Sequence, residues 1–172
     1  MKKLFILSLI LIVNLYASLS EDKLKVIIIG KVAKYVVWPK ENNTKEFHIT
    51  ILQNPFGTLP DTIYKNKQIN NKPVVIQYID TVDTLDNLAK TDILYIPKSE
   101  ASHLQKILQT LHGKGIFTMS DIKGFAQKHG MLQLYFVSRK IKLKINLDAV
   151  KKEHLNIRST LLRIAKVIKE EK

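Results

Sequence analysis

Ile141, Leu143, Ile145 and Leu147 alternate with Lys142, Lys144 and Asn146. A period of two marks a strand with one face buried and the other wet, so a purely helical chain is excluded. The run Met131 to Val137 also suits a strand. Ser138-Arg139-Lys140 between the two is short and polar enough for a hairpin loop, so the strands are expected to pair antiparallel. After Asp148, the expected helix N-cap, the period turns helical. Leu161, Leu162, Ala165 and Ile168 fall on one face, with Arg163, Lys166 and Lys169 opposite. The chain is thus expected to close with a hairpin, a short turn of helix and an amphipathic helix.

Upstream, residues 21 to 38 admit two readings. Val26 to Ile29 fits a strand, while Leu24, Ile28, Val32 and Tyr35 also fit a helix that is apolar over more than half its circumference. Phe47 to Leu52 alternates and is β-branched, as a strand requires. Asn54-Pro55-Phe56-Gly57 has turn chemistry, and Leu59 to Tyr64 suits a short helix. Pro73 to Ile79 is a further strand behind the polar Asn70-Asn71-Lys72. Residues 83 to 89 suit a brief helix capped by Asp83 or Thr84, and Asp92 to Ile96 is a continuous apolar strand of the kind covered on both faces. Ser99 is the expected cap of a helix carrying Ala101, Leu104, Leu108 and Leu111 on one face, with Gly113 as its stop; Gly115 to Met119 is the next strand. Strands alternating with helices predict an α/β sandwich: a mixed, mostly parallel sheet flanked by helices, ending in the antiparallel hairpin and a C-terminal helix.

Length and the chain's beginning set the compartment. With 172 residues, 45% of them hydrophobic, the chain can bury one domain's core and is not disordered. Met1-Lys2-Lys3, the apolar run Leu4 to Leu15, then Ala17 and Ser18 follow the pattern of a secretory signal peptide. That run is shorter than the ~20 residues of a membrane span, so residues 1–17 are expected to be removed and 18–172 to form a single periplasmic domain. The absence of cysteine excludes a disulfide framework, thiolate chemistry and a lipoprotein anchor. Loss of Lys2 and Lys3 lowers the formal charge from +13 to +11, still strongly basic. Outside the cytoplasm such a charge meets anionic membrane surfaces, envelope polymers or acidic proteins before nucleic acid, which is not an expected partner.

A search for catalytic or metal patterns finds little. Histidines 48, 103, 112, 129 and 154 do not fall at metal spacing, and Asp80, Asp83 and Asp86 lack the alternating ligands and glycine of a calcium loop. Gly113-Lys114-Gly115 follows a helix and has no hydroxyl residue after the lysine, so it reads as a helix stop and not as a phosphate loop. No Gly-x-Ser-x-Gly is present; Ser120-Asp121 lies just after a strand and reads as a turn. The remaining signal is geometric. The segments around Phe56, Ser99 and Ser120-Asp121 all follow strands, and in an open α/β sheet the loops at the carboxyl ends of parallel strands form the usual ligand crevice.

The ordered set of segments carries a resemblance. Lys34-Tyr35-Val36-Val37-Trp38-Pro39, Asn54-Pro55-Phe56-Gly57, Ser120-Asp121 with Gly124-Phe125-Ala126, Gly130-Met131, Lys140 to Ala149 and Leu155 to Ala165 together resemble the YfiR-like family of bacterial periplasmic regulators, from about residue 21 to the end. The resemblance implies a helix over residues 21–38, ended at Trp38-Pro39. It also implies a regulatory or sensory module, not an enzyme and without cofactor or metal. Such a module binds the periplasmic part of an inner-membrane diguanylate cyclase, or another sensor protein, and holds it inactive. A small-molecule ligand and a homodimer fit the same reading. Candidate binding residues are Phe56, Ser99, Ser120, Asp121, Asn146, Asp148 and Arg158. Two departures stand out: relatives carry disulfide cysteines, which removes redox sensing from what can be carried over, and His129 stands where a second glycine commonly precedes Gly130. The alternatives are an envelope-surface binding protein held by its positive charge and, further off, a hydrolase using Ser120.

Overall fold

The structure is a computed structural model that describes residues 21–39, 44–88, 90–138 and 140–169. The signal segment expected over residues 1–17 lies outside the described residues. A helix, α1, covers residues 21–33. It is followed by β1 (Val36–Val37), β2 (Phe47–Leu52), α2 (Leu59–Tyr64), β3 (Gln68–Ile69), β4 (Lys72–Ile79) and β5 (Ile93–Ile96). Next come α3 (Leu104–Leu111), β6 (Phe117–Ser120), β7 (Leu132–Val137) and β8 (Lys140–Asn146). The chain ends with α4 (Leu147–Lys152), β9 (Asn156–Ile157), α5 (Ser159–Ile164) and β10 (Lys166–Ile168). Three 3-10 turns, Val82–Asn87, Lys98–Glu100 and Ala126–Lys128, complete the connections.

Eight strands form one sheet in the order β10-β8-β7-β6-β5-β2-β4-β3. From β4 through β7 neighbours run parallel; β8 is antiparallel to β7, as its alternation predicts, with Leu134 opposite Leu143 and Leu132 opposite Ile145. Beyond β8, β10 returns to parallel, and at the other edge β3 is antiparallel to β4. The expected α/β sandwich is therefore present.

The sheet is covered on both faces. Val26, Ile29, Val32 and Ala33 of α1 pack with Ile49, Ile51, Tyr95 and Met119 on one face; on the other, Leu104, Ile107 and Leu111 of α3 pack with Leu52, Leu94 and Ile96. Tyr64 locks α2 to α1: its hydroxyl accepts a 2.7 Å hydrogen bond from the Gly30 N–H and donates to the Val26 carbonyl. Those backbone groups stand four residues apart, so the phenol is inserted into the helix's own ladder. Only glycine leaves room for it, because a Cβ at position 30 would fall 2.6 Å from the ring. Among the described residues no helix is long and apolar enough to cross a membrane.

Several local expectations need correction. α1 ends at residue 33, not at Trp38-Pro39, because Val36 and Val37 pair with Ile157 and Asn156 in a separate two-stranded sheet. β8 stops at Asn146 and Leu147 begins α4. The cap is Asn146, whose Oδ1 accepts the Ala149 N–H at 3.0 Å, while Asp148 lies in the first turn, where a carboxylate complements the helix dipole. The final helix is shorter than its periodicity implies. Ala165 is extended (φ −103°, ψ 151°), and Lys166–Ile168 becomes β10, so Ile168 belongs to a strand edge and not to a helix face. Here the open edge of β8 outweighs a helical pattern that only one turn more would have satisfied. Ser99 does not cap α3, which begins after His103, and Thr81, not Asp83 or Thr84, precedes the 3-10 turn. The strand pair β3–β4 was not foreseen. Its Asn70-Asn71 turn has φ of 52° and 63°, the left-handed geometry of a tight hairpin.

Candidate functional site

The sheet order places β6, β5 and β2 side by side, so the loops after them converge at one end. After β2 the chain turns sharply through Gln53 and Asn54, both at positive φ (53° and 26°). The Asn54 side chain stabilises this turn: Nδ2 donates to the Gly57 carbonyl at 3.1 Å and Oδ1 accepts the Phe56 N–H at 3.4 Å. Phe56 is thereby folded inward, buried, with its ring centroid 4.9 Å from that of Tyr95 and tilted by 50°. The loop after β5 joins it, as Ser99 Oγ donates to Gln53 Oε1 at 3.2 Å.

After β6, Ser120 is fully buried and its Oγ accepts the Ile122 N–H at 2.9 Å. That bond gives the hydroxyl a turn role. It also presents Asp121 to α1, where Oδ2 lies 2.8 Å from Lys25 Nζ; the same ammonium lies 3.4 Å from Asp22 Oδ1. Burial works against the Lys25 ammonium, yet the hydrogen bond and charge of Asp121, joined by Asp22, outweigh it and hold its pKa above the ordinary 10.5. The Tyr95 phenol is pushed far above its usual range, first by burial and then by the Asp121 charge. Tyr95 Oη and Asp121 Oδ1 are both buried, and a hydrogen bond to the Asp121 carboxylate adds to the shift of the phenol. A phenol, a carboxylate and a lysine thus meet between α1 and the ends of β5 and β6. These groups answer one another and tie α1 to the sheet.

The structure brings Phe56, Ser99, Ser120 and Asp121 to this one end, as their positions after strands predict. Asn146 and Arg158 have other placements. Asn146 is buried, and besides capping α4 it donates from Nδ2 to the Ala126 carbonyl at 2.9 Å, tying β8 to the turn before Gly130. Asp148 is half-buried. Arg158 is exposed at the N-cap position of α5, with its backbone N–H donating to the Tyr35 carbonyl at 2.9 Å. The sequence reading passed over Asp22, Lys25, Gln53 and Tyr95. The signals were present: an acid and a lysine three apart on a helix, and one phenol within the otherwise aliphatic Ile93-Leu94-Tyr95-Ile96. Among the described residues no group of three or more His, Asp or Glu is placed to hold a metal ion.

Two solved structures share the fold. A crystal structure of a conserved domain protein from Vibrio cholerae O1 biovar El Tor superposes with a TM-score of 0.62 at 13% identity, covering 87% of this chain. The ABC domain in complex with L-Trp from Streptococcus pneumoniae gives a TM-score of 0.51 at 11% identity over 71% of this chain. The chain spans 60% and 55% of their respective lengths. No curated protein sequence matches significantly. A family model described as YfiR/HmsC-like matches residues 22–166, which takes in α1, the loops after β2, β5 and β6, the hairpin and α5. The chain belongs to the YfiR/HmsC-like family.

Proposed function

We propose that this chain, freed of residues 1–17, is a periplasmic regulatory protein that binds the periplasmic part of an inner-membrane diguanylate cyclase, or a related sensor protein, and holds it inactive. The observation that carries this reading is the family match over residues 22–166. The cluster of Lys25, Asp121 and Tyr95 at the ends of β5 and β6 suits a ligand-responsive form of it. A small polar ligand engaging Tyr95, Asp121 and Lys25 would act on the tie between α1 and the sheet. If that tie differs between the free and the partner-bound protein, ligand and partner affinities are linked by thermodynamic necessity. Export is part of the proposal, as is action by binding instead of catalysis.

Deleting the gene tests the regulatory claim. Cyclic di-GMP is expected to rise on deletion and to return when the wild-type chain is supplied. Unchanged levels in a strain expressing its membrane cyclases would discard the reading. Intact mass of the protein recovered from the envelope tests export: the expected product starts near Ser18 without Lys2 and Lys3, and a cytoplasmic product retaining residues 1–17 would remove the periplasmic role.

A further inference from the structure

The lysines of β8 and β10 all fall on one face of the sheet. Lys140, Lys142 and Lys144 occupy alternate positions of β8, and Lys166 of β10 stands in register beside Lys144. Alternate residues of a strand share a face, so the first three form a row with steps of about 7 Å, and Lys166 lies one strand spacing, about 5 Å, to the side. The opposite face of β7 and β8 carries Leu132, Leu134, Leu143 and Ile145 into the core. Across from the lysines on β7 stand Val137, Tyr135 and Gln133, paired with Lys140, Lys142 and Lys144 in that order. The turn Ala126–Lys128 covers the inner end of this face, where Gln133 and Asn146 are buried and Asn146 donates to the Ala126 carbonyl. Toward the hairpin tip the face is open: Lys140, Lys142 and Lys166 are exposed, and Val137 is 49% exposed. Lys144 is half-buried, with its ammonium 5.5 Å from the centroid of the Tyr135 ring.

Nothing on these strands offsets the charge. β7, β8 and β10 contain no aspartate or glutamate, and among the described residues none of the four lysines forms an ion pair. Like charges side by side on a sheet repel, so the arrangement costs stability until a counter-charge spread over the same area relieves it. One small anion cannot span a row of about 14 Å. An array of anions can, and Val137 selects among arrays. An exposed apolar side chain at the end of a lysine row suits a bilayer interface, where apolar tips enter, lysine stems lie along the surface and their heads meet phosphates. We propose that this face of β7, β8 and β10 rests on an anionic lipid surface, with Lys140, Lys142, Lys144 and Lys166 toward the phosphates and Val137 entering the interface. The proposal goes beyond the regulatory reading and shares only export with it, since the anionic surface within reach of an exported chain is the outer leaflet of the inner membrane.

The test sediments the protein recovered from the envelope with vesicles of phosphatidylcholine alone, or of phosphatidylcholine and phosphatidylglycerol in equal parts. Binding is expected to the second kind only, and it should weaken as salt is added. Lys142→Glu should lower the partition coefficient by about tenfold or more. Lys31→Glu, the same change of charge on the exposed side of α1, should leave it nearly unaltered. Val137→Ser changes no charge and should lower it by about threefold. Thermal melts confirm that the variants keep the fold. Equal binding to both kinds of vesicle, binding to neither, or equal losses with Lys142→Glu and Lys31→Glu would overturn the proposal, the last because net charge alone would then explain the attraction. Displacement from the vesicles by polyglutamate at matched charge would assign the face to an acidic polypeptide and overturn it as well. Cyclic di-GMP on deletion decides the regulatory reading separately. A rise without vesicle binding keeps the regulator and discards the lipid face, and vesicle binding with unchanged cyclic di-GMP does the reverse.

Discussion

Lys25 Nζ lies 2.8 Å from Asp121 Oδ2, an ion pair that fastens the first turns of α1 to the loop at the end of β6. Both side chains are about 12% exposed, so the pair is only partly screened by water. Losing the lysine leaves a carboxylate without its counter-charge, and Lys25→Met is expected to cost about 1 to 3 kcal/mol at pH 8, between the values for surface and buried pairs. The raised pKa of Lys25 fixes the pH dependence. Above 10.5 the unfolded chain gives up a proton that the folded chain keeps, so the stabilisation is complete below that pH and fades as pH rises through the folded value. Tyr95 acts in the same direction, because above about pH 10 its phenol ionises in the unfolded chain while the folded chain keeps the proton. Urea midpoints from pH 8 upward should fall in the alkaline range, and less steeply for Lys25→Met. A parallel decline in both proteins would refute the coupling.

Gly130 packs directly beneath the Phe125 ring, where a Cβ would overlap the ring carbons. Gly130→Ala is expected to destabilise by roughly 1 to 3 kcal/mol, the usual range for overpacking a filled core. Gly57→Ala is the contrast: that site has open space but a φ of +57°, so its smaller loss comes from backbone strain alone. Denaturant midpoints of the two variants should rank in that order.

Leu161 is 1% exposed and packs in the core cluster that includes Leu143 and Ile145, with Leu162 and Ala165 against it, whereas Ile164 on the same helix is 68% exposed. Leu161→Ala should cost about 2 to 5 kcal/mol, and Ile164→Ala or Lys142→Ala little. Thermal melts check the faces. Equal effects of Leu161→Ala and Lys142→Ala would show that they are wrongly assigned.

Arg158 projects from the surface while its backbone is fixed to Tyr35. If it anchors a partner, Arg158→Ala should leave the melting temperature unchanged and cost ~2 kcal/mol of binding, a roughly thirtyfold loss of affinity. Complementation of the deletion strain reads this directly. Full restoration of cyclic di-GMP control by the variant would remove Arg158 from the partner surface without touching the regulatory reading.

Much of the fold was legible because the core strands carry their own period. Lys140–Asn146 and the continuous Ile93–Ile96 announce how many faces they bury, whereas Phe47–Leu52 alternates like a half-wet strand yet is buried along its whole length, because the sheet is covered on both faces there. Hidden from the sequence were features decided by distant partners. Val36-Val37 is a strand because Asn156-Ile157 lies beside it, and Lys166–Ile168 because β8 has an open edge. The crevice was readable as a position, after β2, β5 and β6, but not as a set of groups, since Lys25 reaches Asp121 only once α1 is laid across the sheet. His129 illustrates the opposite case. It departs from the expected glycine, and its φ of 69° shows that the position does ask for left-handed backbone; the imidazole is accommodated there at a local cost that glycine would avoid.

The pairing of Val36 with Ile157 and of Val37 with Asn156 also bears on how the polypeptide reaches this state. A pairing between residues so remote in sequence closes a very large loop, and loop closure of that size is slow and entropically costly until the intervening sheet has formed. The small ribbon is therefore expected to assemble last. In a chain that crosses a membrane amino terminus first, its carboxyl-terminal half emerges only near the end of translocation. Until then β2, β4 and β5 can pair with one another, but β5 lacks its other neighbour, β6, and exposes an apolar edge on which chaperones, proteases and aggregation compete.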